Sequence, residues 1–226
     1  MGQVTGWLLG EGHLGAVPLI DGRYRRCGSQ EGNALWAASV MNLGDTTDRT
    51  RLAANLLHWQ WPDGGWNCDQ RPAARHSSFN ESILPLRGLV AHRRALVHSS
   101  PELDGAIDRA AELFLRHRVV ESERTGEIAS ERFVELAWPP YWHYGLLPGL
   151  RALNEAGHIE DPRVRPALDR LESLRGNDGR WHASRRYWRR GPTGTGTELV
   201  SWGVAGETRM LTIQARTVLL AASRKP

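Results

Sequence analysis

The sequence predicts an all-α fold of helical hairpins, arranged as a single domain over residues 1–226. A short glycine-containing turn recurs along the chain, and most copies end in an aromatic residue. Each copy follows a segment with the apolar spacing of an amphipathic helix and precedes a more apolar helix. Such hairpins bury a continuous core only by stacking on their neighbours, so we expect a ring or a solenoid.

The recurring turn is predicted to be structural. Its four copies are residues 21–24 (DGRY), 63–66 (DGGW), 125–128 (TGEI) and 178–181 (DGRW). The shared glycine permits a positive φ angle, and a tryptophan buries a large area at a small cost in side-chain entropy. We therefore expect Trp66 and Trp181 to hold helices together rather than to bind a ligand.

The helices on either side of the turns are placed by their caps and their apolar periodicity. Asp161-Pro162 is typical of an N-cap followed by the first helical position, and residues 45–48 (DTTD) are interpreted as another N-cap. His58 and His92 are expected at outer or solvent positions. The predicted outer helices are residues 49–60, 105–116 and 163–174, and the predicted inner helices are residues 30–43, 79–92, 142–156 and 210–222.

Composition and charge favour a globular protein and argue against several classes. The chain has 40% hydrophobic and 24% charged residues, and it lacks the run of about 18 apolar residues that a transmembrane helix needs. Its N-terminus does not resemble a secretory signal, and two cysteines suit a reducing compartment, so we expect a cytoplasmic protein. The net charge of +4 is modest and the arginines are spread, which argues against a nucleic-acid partner.

The segment QWPDGGW at residues 60–66 resembles the QW motif of the terpenoid cyclase and protein prenyltransferase superfamily. Residues 27–33, 66–69, 76–82 and 141–144 are similar to bacterial squalene-cyclase-like or prenyltransferase-like proteins. The resemblance covers residues 17–222 and implies an α/α toroid whose inner helices line a central cavity. Because the chain supplies only about four repeats, we expect a small or incomplete toroid; the inner-helix surface it exposes would favour a homo-oligomer.

Two carboxylates are the leading catalytic candidates. Alignment of the inner helices places Glu31 and Glu81 in one column with Tyr144, in the first turn of each helix, with His143 in the neighbouring column. The carboxylates could simply satisfy helix N-termini. Alternatively, they converge in an apolar cavity, where burial and like-charge repulsion raise the pKa of one of them. That carboxyl would then act as a general acid, with its partner or His143 as the base.

Other residues of the same helix ends are candidates for binding a substrate. Aromatic faces stabilise a carbocation or bind an apolar chain, so the implied partner is an apolar, isoprenoid-like or polycyclic small molecule. The substrate-binding candidates are Gln30, Phe79, Asn80, Tyr141, Trp142, Tyr144 and Trp202. The arginine cluster at residues 185–190, with the glycine-rich residues 191–197 after it, is interpreted either as a solvated loop or as a lid that meets an anionic substrate.

No cofactor is favoured, and zinc is kept as an alternative. Cys68, Asp69 and His76 lie close in sequence and are of the types that bind zinc. Protein prenyltransferases in the resembled superfamily hold zinc with an Asp, a Cys and a His, but their Asp-x-Cys pair is replaced here by adjacent Cys68-Asp69. Side chains of adjacent residues usually diverge, so these three are weak candidates.

Three functions are therefore kept in order. The first is an enzyme that uses acid/base chemistry for a cyclisation, isomerisation or elimination. The second is a non-catalytic ligand-binding or scaffold protein with a degenerate cyclase fold, and the third is a zinc-dependent transferase or hydrolase. The Asp-x-Asp-Asp acid of class II terpene cyclases and an Asp-Asp-x-x-Asp diphosphate motif are both absent, so the usual acid of polyene cyclisation is not expected.

Overall fold

The computed structural model describes residues 2–15, 17–187 and 202–225, and it confirms the all-α prediction. The α-helices of these residues are α1 (Gly2–Leu8), α2 (Glu11–Leu14), α3 (Gly28–Val40), α4 (Thr46–Trp59), α5 (Phe79–Ala95), α6 (Pro101–Arg116), α7 (Leu146–Ala156), α8 (Arg165–Ser173) and α9 (Gly203–Ala221). Short 3-10 helices occupy Glu131–Val134 and Pro162–Val164. None of the helices in the described ranges has the length and apolar character needed to cross a membrane.

One β-hairpin precedes α3, and the sequence analysis had not predicted it as strands. β1 (Leu19–Ile20) pairs antiparallel with β2 (Arg23–Tyr24) around the turn Asp21-Gly22. Both turn residues have positive φ angles, 49° and 70°, as the two-residue turn of a tight hairpin requires. Asp-Gly is a strong hairpin signal, so this element was present in the sequence.

The chain divides into two compact units, Met1–Leu113 and Phe114–Pro226, with the division inside α6. The first unit contains α1 to α5 and most of α6, and the second contains α7 to α9. The expectation of one domain over residues 1–226 stays a prediction.

The caps of the outer helices follow the sequence closely. The Asp45 carboxylate accepts a hydrogen bond from the Thr47 N–H at 2.8 Å, so the N-cap predicted within residues 45–48 is Asp45, and α4 begins at Thr46 rather than at residue 49. Asp161 caps the turn before α8 in the same way, through the Arg163 N–H at 2.9 Å. The prediction for α6 is wrong at its start, because this helix begins at Pro101 rather than at residue 105.

The inner helices α3 and α5 touch backbone to backbone in the first unit. A Cβ atom on Gly32 would lie 2.4 Å from the backbone nitrogen of Pro85, and one on Gly88 would lie 2.4 Å from the carbonyl oxygen of Gly32. Real Cβ atoms do not approach other atoms so closely, so only glycine fits at either position. This contact sets the distance between the two helices.

Three predictions about inner helices are wrong. The helix predicted over residues 210–222 begins at Gly203 rather than at residue 210. The helix predicted to start at residue 142 begins at Leu146, because Tyr141 has a left-handed φ of 49° and Gly145 is fully extended. Tyr144 therefore precedes α7 instead of lying in its first turn. His92, expected at the surface, is only 3% exposed, because the face of α5 that carries it packs inward.

The glycine of the recurring turn is in the left-handed region in all four copies. These glycines, Gly22, Gly64, Gly126 and Gly179, all have a positive φ, between 69° and 101°. In the two copies that end in tryptophan, the indole N–H donates to a carbonyl oxygen in the last turn of the preceding helix: Trp66 to Leu56 at 2.9 Å and Trp181 to Leu171 at 2.7 Å. Both tryptophans are buried and hydrogen-bond to carbonyl groups in the last turn of the preceding helix, in agreement with the predicted structural role.

The indole hydrogen bond of Trp66 can be tested by Trp66→Phe. Phenylalanine keeps an aromatic ring but leaves the Leu56 carbonyl unpaired, so we expect urea unfolding to show a loss of about 1–3 kcal/mol in the free energy of unfolding. Trp142→Phe is the control, because Trp142 is 56% exposed and should change the free energy by no more than about 0.5 kcal/mol. Equal effects of the two substitutions would contradict this role.

The turn glycines offer a second test. Gly126→Ala should lower the free energy of unfolding by about 1–2 kcal/mol, because the position has a left-handed φ of 69° but open space around it. Gly64→Ala should lower the free energy of unfolding by about 1–3 kcal/mol more than Gly126→Ala does, because its Cβ would lie 2.1 Å from the Arg109 carbonyl oxygen. Urea unfolding measures both, and a Gly64→Ala variant as stable as Gly126→Ala would rule out the close contact.

Candidate functional site

The two candidate carboxylates lie in the first turns of α3 and α5 in the first unit. The glycine contact between these helices brings Glu31 and Glu81 close enough for the charge of Glu81 to raise the pKa of Glu31. Together with His13 and Arg26, which bind Glu31, they are named the carboxylate cluster below. The sequence thus predicted the pair of carboxylates, and the packing of α3 on α5 explains why they meet.

Glu31 is completely buried, and its two carboxylate oxygens differ. Oε1 accepts from Arg26 through Nε at 3.1 Å and Nη2 at 3.0 Å, and it also contacts Nε2 of His13 at 2.9 Å. Oε2 has no hydrogen-bond partner among the described residues. Because a carboxylate oxygen only accepts hydrogen bonds, Nε2 of His13 is assigned as a third donor to Oε1. Arg26 and His13 therefore both bind the same oxygen.

The pKa of Glu31 is raised above its ordinary value. Burial is the largest cause, since it disfavours the ionised form, and the charge of Glu81 acts in the same direction. The guanidinium of Arg26 opposes both effects without cancelling them. A carboxyl with a raised pKa retains its proton to higher pH than an exposed one, which is the property required of a general acid near neutrality.

His13 is a member of the cluster that sequence reasoning missed. It lies in the four-residue helix α2, its ring centroid is 4.2 Å from that of the tilted Trp7 ring, and its pKa is lowered by burial and by the charge of Arg26. No spacing or periodicity connects residue 13 with residue 31. The contact arises because the β1–β2 hairpin turns the chain back on itself, and the Asp-Gly signal of that hairpin was the only hint in the sequence.

Glu81 is surrounded by neutral hydrogen-bond donors. Its Oε2 accepts from the Ser29 hydroxyl at 3.3 Å, and the thiols of Cys27 and Cys68 are near enough for Glu81 to raise the pKa of both. Burial and the contact with Glu81 raise the pKa of Cys27 to about 12, and burial raises the pKa of Cys68 as well. Both thiols therefore stay protonated at neutral pH and are poor nucleophiles.

The weak zinc candidates do not converge. The Asp69 carboxylate is held by the guanidinium and backbone N–H of Arg71, which lowers the pKa of this carboxyl to about 2. Cys68 points to Glu81, and His76 is exposed, with its carbonyl bound by Asn67. Within residues 2–15, 17–187 and 202–225, no group of three or more His, Cys, Asp or Glu side chains is arranged to hold a metal ion.

The predicted substrate-binding residues of the first unit lie beside the carboxylates. Phe79 and Asn80 are half-buried in the first turn of α5, directly before Glu81. The Asn80 carbonyl accepts from the Ser29 hydroxyl at 3.2 Å, which links it to the Glu81 contact. Gln30 is exposed on α3.

His143 belongs to the second unit, where it forms the middle of an aromatic stack. Its ring lies 4.0 Å from that of Trp142 and 3.5 Å from that of Tyr187, and its Nδ1 donates to the Pro140 carbonyl at 3.2 Å. Burial lowers its pKa. A pocket beside His143 and Tyr187 has a volume of 10 Å³, which suffices for about one water molecule. A shared cavity with Glu31 and Glu81 stays a prediction.

The remaining aromatic candidates differ in exposure. Tyr141 is 43% exposed, whereas Tyr144 is buried, stacks on Phe114 at 5.3 Å, and donates its hydroxyl to the Val119 carbonyl at 2.6 Å. Trp202 is half-buried and meets the edge of Trp138 at 5.5 Å. The buried Tyr144 therefore packs in the core of its unit.

The predicted lid can be placed only at its start. Arg185 is paired with Glu135, and Arg186 with the buried Glu207. Both guanidinium groups are therefore engaged inside the second unit. Residues 188–201, which hold the rest of the arginine cluster and the glycine-rich run, lie outside the described residues.

Comparison of the chain with protein-family models, with curated proteins and with solved structures gave no match. The likeness of residues 60–66 to the QW motif therefore stays a resemblance.

The raised pKa of Glu31 gives the stability of the protein a defined pH dependence. The folded chain binds a proton at Glu31 more tightly than the unfolded chain does, whose pKa is near 4.5. The contribution of Glu31 to the free energy of unfolding is thus fully present below pH 4.5 and is lost as the pH rises through the folded-state value. Urea unfolding over a pH series should show this loss in the wild type and not in Glu31→Gln.

Glu135→Gln is the control of opposite sign. Arg185 lowers the pKa of Glu135 below 4.5, so the contribution of Glu135 is present above that pH and is lost as the pH falls. The wild-type free energy relative to Glu31→Gln should therefore fall with rising pH, and relative to Glu135→Gln it should fall with falling pH. If both differences fall with falling pH, the pKa of Glu31 is not raised in the folded protein.

Proposed function

We propose that this chain is a small-molecule enzyme with an α/α toroid arrangement, in which Glu31 and Glu81 catalyse proton transfer on an apolar, isoprenoid-like or polycyclic substrate. The reaction class is an isomerisation, cyclisation or elimination in which one proton enters the substrate and another leaves it. The observation that supports this most directly is the unpartnered Oε2 oxygen of the buried Glu31.

The two oxygens of Glu31 have different roles in the proposed acid: Oε1 accepts hydrogen bonds, and Oε2 carries the proton. Oε1 accepts from Arg26 and His13, so a proton on Glu31 is placed on Oε2, where no donor competes with it. Burial raises the pKa of this carboxyl and keeps the proton in place until a base of suitable strength arrives. An apolar substrate brings no polar group that would need a hydrogen bond near Glu31, so its alkene carbon can take the proton from Oε2.

Glu81 supplies the matching base. Its carboxylate accepts a hydrogen bond from Ser29 and lies near the neutral thiols of Cys27 and Cys68, so no cation among these neighbours holds it. In a double-bond isomerisation, Glu31 protonates one alkene carbon, and Glu81 then removes a proton from a carbon next to the resulting cation. Before the next turnover Glu81 must lose its proton to solvent and Glu31 must regain one on Oε2; His13, in contact with Oε1, holds the ionised Glu31 in the interval. The half-buried ring of Phe79, close in sequence to Glu81, offers a π face to the cation.

A non-catalytic scaffold is the second candidate, and one observation favours it. Glu31 is completely buried and is bound by the cationic Arg26 and by His13, an arrangement that also occurs in purely structural ion pairs. In that case Glu31 only anchors α3 to the N-terminal segment. No contact among the described residues favours the zinc-dependent alternative.

Deuterium exchange separates these two functions. The protein is incubated in D2O with a panel of polyprenyl alcohols, squalene and polycyclic terpenes, and mass spectrometry follows deuterium incorporation and product formation. The wild type should transfer solvent deuterium to carbon, whereas Glu31→Gln and Glu81→Gln should reduce the rate by about 10²–10⁴-fold, the usual contribution of a positioned acid or base.

Glu135→Gln serves as the matched control, because Glu135 is a carboxylate of the second unit paired with a single arginine. It should leave the rate unchanged. Should Glu31→Gln and Glu81→Gln keep the wild-type rate and only lower the melting temperature, the carboxylates are structural and the scaffold function is correct. A panel without any turnover by the wild type would also count against the enzyme.

A further inference from the structure

A second set of chemically active side chains lies in the second unit. The imidazole of His182 sits between the Asp178 carboxylate and the Thr208 hydroxyl. Its Nε2 lies 3.1 Å from both Asp178 oxygens, and its Nδ1 lies 3.1 Å from Thr208 Oγ1. Asp178 belongs to the recurring turn, His182 follows the turn, and Thr208 is on α9.

The chemistry of the three groups assigns the protons. A carboxylate only accepts hydrogen bonds, so Nε2 of His182 must carry the proton that is shared with Asp178. In the neutral imidazole, Nδ1 is then a bare acceptor, and the Thr208 hydroxyl must donate to it. The contact with His182 also lowers the pKa of Asp178 and keeps this carboxyl ionised. A hydroxyl bound to an imidazole whose far side is held by a carboxylate is the arrangement that activates an alcohol nucleophile.

Comparison of the two units shows that the fold does not require this histidine. The backbone N–H of Trp66 donates to Ser82, and that of Trp181 donates to Thr212, so Ser82 and Thr212 occupy equivalent positions. In the first unit, the turn aspartate Asp63 binds the backbone N–H and the hydroxyl of Ser77 directly, at 2.7 and 2.6 Å. In the second unit an imidazole stands between the turn aspartate and the inner helix.

The surroundings of the three residues limit which substrate can reach them. The side chains of Asp178 and His182 are each 50% exposed, whereas Thr208 is only 7% exposed. A Cβ atom on Gly176 would lie 2.9 Å from an Asp178 oxygen and 3.3 Å from the His182 ring, so the glycine leaves room for this pair. Access to the hydroxyl across the half-exposed imidazole suits a small acyl group better than a long chain.

We propose that Asp178, His182 and Thr208 form a nucleophilic site that hydrolyses small, activated acyl esters. Thr208 Oγ1 attacks the ester carbonyl carbon while its proton passes to Nδ1 of His182. The carbon–oxygen bond to the leaving alcohol then breaks, and the alcohol takes the proton from Nδ1, which leaves an acyl-Thr208. Water attacks the acyl group by the same route, so that ester and water become carboxylic acid and alcohol.

The test uses the full chain and p-nitrophenyl acetate. The wild type should release p-nitrophenol, and an acid quench followed by peptide mass spectrometry should find an acetyl group on Thr208. Thr208→Val and His182→Gln should each lower the rate of release at least about tenfold, and Thr208→Val should remove the label. Thr208→Ser keeps a hydroxyl and should retain both activity and label, which guards against loss of folding as the cause.

Thr217→Val is the matched control, because Thr217 lies on the same helix and its hydroxyl bonds only the Ile213 carbonyl among the described contacts. It should leave the rate and the Thr208 label unchanged. An acetyl group found on His182 or on amines but not on Thr208 would overturn the proposal, as would equal rates of release for Thr208→Val and the wild type.

Discussion

The backbone contact between α3 and α5 determines where the candidate chemistry of the first unit lies. At Gly32 and Gly88 the two helices approach so closely that a Cβ atom on either residue would overlap backbone atoms of the other helix. Their first turns are therefore held side by side, with Glu31 on one and Glu81 on the other. The charge of Glu81 thus contributes to the raised pKa of Glu31, which is buried and therefore poorly screened by water.

Burial of the ionised Glu31 carboxylate costs desolvation free energy. A buried ion pair usually recovers little more than its desolvation penalty, so it is weak evidence for a gain in stability. Here Arg26 and His13 compensate only Oε1, and Oε2 is left without a partner. A solely structural carboxylate would be expected to satisfy both oxygens. This difference between the two oxygens supports the proposed role of Glu31 as a general acid over a purely structural role.

The recurring turn shows how one local motif supports different chemistry in the two units. Trp66 and Trp181 make the same two hydrogen bonds, one from the indole to the preceding helix and one from the backbone to the following helix. The aspartates of the same turns differ, since Asp63 reaches Ser77 directly whereas Asp178 reaches Thr208 through His182. The tryptophan contacts that hold the hairpin are thus the same in both units, whereas the aspartate contacts differ.

The sequence by itself determined the all-α class, the caps at Asp45 and Asp161, the glycine turns and the burial of Trp66, because each of these depends on contacts within a few residues or on strong hydrophobicity. It also placed Glu31 and Glu81 in first turns. Only the tertiary structure decided that His13 meets Glu31, that His92 is buried and that His182 joins Asp178 to Thr208. Those contacts depend on how distant segments pack, and no local preference along the chain encodes that packing.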